Sequence, residues 1–202
     1  DVNNDGRLDI VTATYDNNNV TIALGNGNGT FKSQNFFDSG KSQLVIELGD
    51  LNGDGRIDIV TANHNSKTVS VLLGNGNGTF GPKTDLATGE QPTGITLGDV
   101  NGDGLMDIVT ANQPIDKVGV FFGNGNGTFK SEVAFDTGLS PLVVALGDVN
   151  SDGRLDIVTC NNFSSSVSVL LANAGNSIEL NVRRTSTESS YLSLGSTAPS
   201  LR

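Results

Sequence analysis

The chain is poor in the residues on which common catalytic and cross-linked architectures depend. Its 202 residues include one cysteine, Cys160, and one histidine, His64. A single cysteine excludes an internal disulfide framework. It stands where the other repeats carry Ala13, Ala62 and Ala111, so it reads as a small packed side chain. Any Ser/His/Asp triad would have to use His64, whose counterparts are Tyr15, Gln113 and Asn162, the pattern of a variable connecting loop. No apolar run approaches membrane-spanning length, and no secretory leader is visible. An apolar period of 3.6 residues is also missing, which excludes a helical repeat. There is no basic stripe to neutralise phosphates, which argues against nucleic acid as a partner.

What the chain does have is one nine-residue stretch four times over. Asp50-Leu-Asn-Gly-Asp-Gly-Arg-Ile-Asp58 recurs as Asp1 to Asp9, Asp99 to Asp107 and Asp148 to Asp156, with a period of 49 residues. Oxygen-bearing side chains stand at the first, third, fifth and ninth positions. They are Asp1, Asn3, Asp5 and Asp9; Asp50, Asn52, Asp54 and Asp58; Asp99, Asn101, Asp103 and Asp107; and Asp148, Asn150, Asp152 and Asp156. Glycine is always sixth, where a curled loop needs a sharp bend. The seventh residue varies (Arg7, Arg56, Leu105, Arg154), as expected of a position that offers only its backbone carbonyl. An all-oxygen cage with three carboxylates suits Ca²⁺, up to four ions in the chain. The alternative is a polar turn without an ion, because Asn, Asp and Gly favour turns in any case. Twelve of the 22 acidic residues lie in these loops, and four divalent ions would take the formal charge from −10 to −2.

Each loop runs into a β-branched segment such as Ile59-Val60-Thr61-Ala62, which predicts a strand. An EF-hand or dockerin pair would open onto a helix, and the twelfth-position Glu of an EF-hand is replaced by Thr12, Thr61, Thr110 and Thr159. A second strand follows (Val20 to Leu24, Val69 to Leu73, Val118 to Phe122, Val167 to Leu171), apolar on both faces as in stacked sheets. Gly-Asn-Gly-Asn-Gly-Thr-Phe at 25–31, 74–80 and 123–129 reads as a chain reversal. A phosphate-cradling loop would need a helix start and a Lys that are not there. Phe31, Phe80 and Phe129 are expected to plug into the core and begin a more polar outer strand. A fourth strand (Leu44 to Leu48, Gly94 to Leu97, Leu142 to Leu146) leads through Leu-Gly into the next loop. Four short strands per 49 residues, each paired with its sequence neighbour, describe a propeller blade. A nonapeptide calcium roll would repeat about every nine residues instead. The expected fold is all-β: a β-propeller, or part of one, of about four blades, each a four-stranded antiparallel sheet.

The unit Asp-x-Asn-x-Asp-Gly-x-x-Asp-Ile-Val-Thr-Ala, followed by Val-Ser-Val-Leu-Leu-Gly-Asn-Gly-Asn-Gly-Thr-Phe, resembles FG-GAP/VCBS-type repeats, relatives of the integrin α-subunit propeller repeats. The resemblance runs from residue 1 to about 177. It implies a propeller with calcium ligands at Asp1, Asn3, Asp5, Asp9 and their counterparts, on the loop between the first two strands of a blade. Integrin-type units carry Gly-Ala-Pro where this chain has Thr-Ala-Thr, Thr-Ala-Asn or Thr-Cys-Asn, so integrin partners are not carried over.

Residues 1–182 form the repeat region, with units starting at 1, 50, 99 and 148, and 183–202 are expected to be a degenerate strand or flexible tail. Tyr191 to Ser196 is similar to Val143 to Asp148 without an ion loop, so it could supply the first blade's missing strand; a disordered tail is the alternative. Because the chain opens inside a unit, it reads as a piece of a longer protein, and the missing leader says little of the parent. No catalytic set emerges. The reading is a calcium-stabilised extracellular module, secreted or at the cell surface, that binds a protein or glycan, without membrane insertion, as a monomer or part of a larger chain. Asn-x-Ser/Thr sequons at Asn19, Asn28, Asn77, Asn126 and Asn162 are compatible with secretion. The alternatives are the non-catalytic propeller portion of a secreted carbohydrate-active enzyme, or a scaffold with no ligand of its own.

Overall fold

The computed structural model describes residues 1–173 and, for the backbone alone, 177–183. The β-branched runs form strands where the pattern places them. β1 (Ile10–Ala13), β2 (Asn19–Ala23) and β3 (Asn35–Asp38) make a three-stranded sheet. Three four-stranded sheets follow: β4 (Gln43–Gly49) to β7 (Thr84–Ala87), β8 (Pro92–Gly98) to β11 (Val133–Asp136), and β12 (Pro141–Gly147) to β15 (Ser177–Arg183). The strands between those ends are β5 (Asp58–Asn63), β6 (Thr68–Leu72), β9 (Asp107–Asn112), β10 (Lys117–Phe121), β13 (Asp156–Asn161) and β14 (Ser166–Asn173). Every strand pairs antiparallel with its neighbour in sequence, as a meander of tight turns requires. The register repeats as well: Ile59 faces Leu72, Ile108 faces Phe121 and Ile157 faces Leu170. The result is a four-blade, propeller-like all-β fold.

The core lies between blades. Alternation on β5 and β6 sends Val60, Ala62, Val69 and Val71 to one face, where they meet Ile95, Ile108 and Phe121 of the third blade. The opposite face of the second blade puts Ile59 and Leu72 against Val20 and Ile22 of the first. Val109, Ala111, Val118 and Val120 meet Val144, Ile157 and Leu170 of the fourth in the same way. A sheet covered on both sides needs apolar residues on both faces, and the second strands have them.

Three features depart from the sequence expectation. Phe80 is buried, edge-to-face on Phe37 with ring centroids 5.4 Å apart, but Phe31 is 42% exposed because its turn belongs to the first blade, against which the described residues place no preceding blade. These phenylalanines close isolated bridges to Gly25, Gly74 and Gly123, and the outer strands start only some four residues later. Cys160 is exposed while Ala62 and Ala111 are fully buried, because no further blade covers its face among the described residues. The first blade shows three strands among the described residues. The expected completing strand at 191–196, like the rest of 184–202, lies outside them.

The fourth blade also turns differently. Gly74 fits its site because an added Cβ would lie 2.2 Å from the Ile57 carbonyl oxygen. Ala172 occupies the equivalent position, so β14 continues in regular pairing, Ala172 opposite Ile178 and Asn173 opposite Ser177.

Candidate functional site

All four aspartate loops occupy one edge of the stack, each joining a blade's first two strands or, in the first blade, leading into β1. In the second blade, Asp50 holds the loop by its carboxylate. Oδ1 accepts the amides of Gly53 and Asp54, and Oδ2 accepts that of Gly55 at 2.8 Å. Asn52 Oδ1 accepts the Asp54 amide, and Asp54 Oδ1 accepts the Arg56 amide. These are successive Asx turns, in which the side chain satisfies the backbone two residues on. The curl needs left-handed backbone at the sixth position (Gly55, φ 79°) and also at the fourth, where Asn4, Gly53, Gly102 and Ser151 all have φ between 57° and 77°. The other three loops repeat the bonds from the first-position carboxylate to the sixth-position amide at 2.7 to 2.8 Å. In the fourth, this bond from Gly153 is the main reason that the Asp148 carboxyl is held below its ordinary pKa.

The ninth aspartate does something the spacing did not reveal. Asp58 is fully buried; its Oδ2 accepts the Leu51 amide and its Oδ1 the Gly74 amide, at 2.9 and 2.7 Å. It therefore clamps the loop's start to the beginning of the Gly-Asn turn. Asp9, Asp107 and Asp156 hold Val2 and Gly25, Val100 and Gly123, and Val149 and Ala172 in the same way. Burial pushes the Asp107 carboxyl up to about 6 against the pull of its two amide donors, with Asp103 and Asp99 adding repulsion. Asp58 is raised by the same causes. The Gly78 amide of the second blade's turn donates to the Val2 carbonyl of the first blade's loop at 3.2 Å, so neighbouring loops are bonded through the turn between them.

The donor set has the chemistry of a hard cation's site: three carboxylates, an amide oxygen, and no sulfur or imidazole. Asp50, Asn52 and Asp54 are brought together at the exposed mouth of the loop, while Asp58 lies beneath them, engaged with backbone amides. Among the described residues, no three acidic, histidine or cysteine side chains converge closely enough to grip a metal as they stand. The residues still fit the ion, because Asp50 Oδ2 and Asp54 Oδ1 each accept one backbone N–H and keep a second lone pair. Of the seventh residues, Arg7, Arg56 and Arg154 lie 3.7 to 3.9 Å from the fifth-position aspartates, whereas Leu105 leaves Asp103 without such a neighbour. The structure records the seventh residues as amide donors to the fifth aspartates. His64 sits in the turn after β5 with its ring against Asn65.

The family model of the FG-GAP-like repeat matches residues 1–61, 50–110 and 99–159. No curated protein matches the chain. Among solved structures, an Agrocybe aegerita lectin that recognises non-reducing terminal N-acetylglucosamine aligns with a TM-score of 0.59 at 24% identity, over 90% of this chain and 50% of its own. The Vibrio cholerae biofilm matrix protein Bap1 aligns at 0.56 with 19% identity, over 89% of this chain and 26% of its own. A K499G mutant of the Streptococcus pneumoniae sialidase NanB aligns at 0.55 with 10% identity, over 80% and 27%. The chain thus spans half or less of these proteins, and at such identities the likeness is one of fold.

Proposed function

Because the chain belongs to the FG-GAP-like repeat family, we propose that it is an extracellular, calcium-stabilised binding module whose partner is a carbohydrate or a protein. The observation that carries this reading is the recurrence of one oxygen-rich loop geometry, four times in register along one edge of the stack. In the second blade the ion would be held by Asp50, Asn52, Asp54 and Asp58, with the carbonyl of Arg56; the other loops would use the equivalent residues. It would supply positive charge where three carboxylates otherwise repel one another. Sites of this extracellular type have dissociation constants on the order of 10⁻⁴ to 10⁻³ M and suit millimolar calcium outside cells. An ion that binds only the folded loop stabilises its blade by linkage. The role is binding, not catalysis. The likeness to a lectin and to a biofilm matrix protein supports a glycan or matrix partner.

The test is binding of the purified chain to immobilised glycans, terminal N-acetylglucosamine among them, and to matrix proteins, with calcium and with chelator. Saturable binding lost on chelation is expected. A folded, calcium-loaded sample that binds none of them would leave the repeats as a scaffold.

A further inference from the structure

The dipeptide Asn-Gly occurs eight times: twice in the aspartate loops, at Asn52 and Asn101, and six times in the Gly-Asn turns at 25–31, 74–80 and 123–129. Asparagine before glycine is prone to cyclise, because glycine has no side chain to shield the amide nitrogen that attacks. The fold treats the eight pairs differently. In the loops the nucleophile is held. The Gly53 and Gly102 amides donate to Oδ1 of Asp50 and Asp99 at 2.8 and 2.7 Å. Attack would require removal of that proton, which breaks the bond and sets negative charge beside a carboxylate. The side chains of Asn52 and Asn101 are also held forward, each donating Nδ2 to the fifth-position aspartate and accepting its amide at Oδ1.

In the turns the nitrogen is freer and the carbonyl is activated. Asn77 Oδ1 accepts both the amide and the hydroxyl of Thr79, at 3.0 and 2.6 Å. Asn126 Oδ1 accepts those of Thr128, at 3.1 and 2.6 Å. Two donors on one carbonyl oxygen stabilise the negative charge that develops there when a nitrogen adds to the carbon, as in an oxyanion hole. The Gly78 amide meets only the neutral Val2 carbonyl, at 3.2 Å, and the Gly127 amide meets no acceptor among the described residues. Asn77 and Asn126 are both exposed. Asn75 and Asn124 instead donate Nδ2 to the same threonine hydroxyls, which does not activate their carbonyls.

We propose that Asn77 and Asn126 are sites of spontaneous covalent modification, and that Asp50 and Asp99 shield the loop asparagines from the same reaction. The glycine nitrogen gives its proton to solvent and bonds to the asparagine Cγ, and the side-chain nitrogen leaves as ammonia. Water then opens the cyclic imide at either carbonyl, leaving aspartate or isoaspartate. At Asn77 the product puts a carboxylate into the turn whose Gly78 amide ties the second blade to the first blade's loop. The candidate calcium ligands Asn52 and Asn101 are spared.

The test incubates the chain at mildly alkaline pH, with calcium and in chelator, and follows each site by peptide mapping of amide-to-acid conversion. Asn77 and Asn126 should convert first, and Asn52 and Asn101 about ten-fold or more slowly, the factor implied by one hydrogen bond to a charged group. In urea the eight sites should converge. Loop asparagines converting as fast as Asn77 and Asn126 in the folded chain would overturn the proposal. So would a ranking that persists in urea, which would belong to sequence and not to fold. A ranking seen only with calcium would assign the protection to the ion and contradict the role given to Asp50 and Asp99. Thr128→Val, at an exposed position, keeps the amide donor and removes the hydroxyl. It should slow Asn126 several-fold relative to Asn77 in the same sample, and an unchanged ratio would contradict the activation.

Discussion

The second and fourth blades carry nearly the same sequence pattern and differ in what covers them. Both faces of the second are sealed by neighbours, and every residue of β5 is buried. Among the described residues the fourth has one sealed face, and along β13 the alternate residues Val158 and Cys160 open toward solvent. A repeat unit therefore has no core of its own; it has two half-cores that its neighbours complete. Local pattern forms the strand, but the stabilisation belongs to the interface between units, the nearest-neighbour behaviour expected of repeat proteins.

The largest expected effect comes from cutting an interior half-core. Ile59→Ala should cost about 2–5 kcal/mol in urea unfolding, and Ile10→Ala, at the same position on an open face, less than about 1 kcal/mol. Equal costs would mean that the end face is not open. Next is the close approach of turn and loop: Gly74→Ala should destabilise by about 1–3 kcal/mol, since its methyl would meet the Ile57 carbonyl. A neutral result would show that the second blade can adopt the extended hairpin of the fourth.

The pH dependence sharpens the comparison further. The Asp107 carboxyl is raised from 3.8 to about 6 in the folded chain, so the folded state holds its proton more tightly than the unfolded state. The sign follows. Its contribution is fully present below pH about 4 and is lost as pH rises through about 6, at most about 3 kcal/mol. Melting in chelator at pH 4 to 7 should show this decline, and Asp107→Asn should remove it. Calcium, which favours the carboxylate, should weaken or reverse the slope. The smallest effect belongs to the exposed Lys67–Glu90 pair, 2.7 Å apart; Lys67→Ala should change stability by less than about 1 kcal/mol.

Much of this was legible in the sequence, for physical reasons. Ile-Val-Thr-Ala runs between turn residues can be little but strands, and apolar residues on both faces of Val69 to Leu73 require sheets on both sides. The loops were legible too, because Asx turns are local: Asp50, Asn52 and Asp54 act on amides within five residues. What stayed hidden depends on distance along the chain. Asp58 takes an amide from Gly74, sixteen residues away, so its spacing reads as that of a ligand and its role as a clamp does not show. The left-handed fourth position was masked by its varied occupants, Asn4, Gly53, Gly102 and Ser151. Phe31 and Cys160 were misjudged for one reason: their repeat positions are buried only when another blade is present.

The most direct measurement is calorimetric titration of the chelator-stripped chain with calcium, with melting followed in parallel. Three or four ions bound and a rise in melting temperature are predicted, with Asp54→Asn weakening one site and sparing the others. A folded chain that takes up no calcium and melts at the same temperature with and without it would contradict the account, leaving the aspartates as turn-formers only.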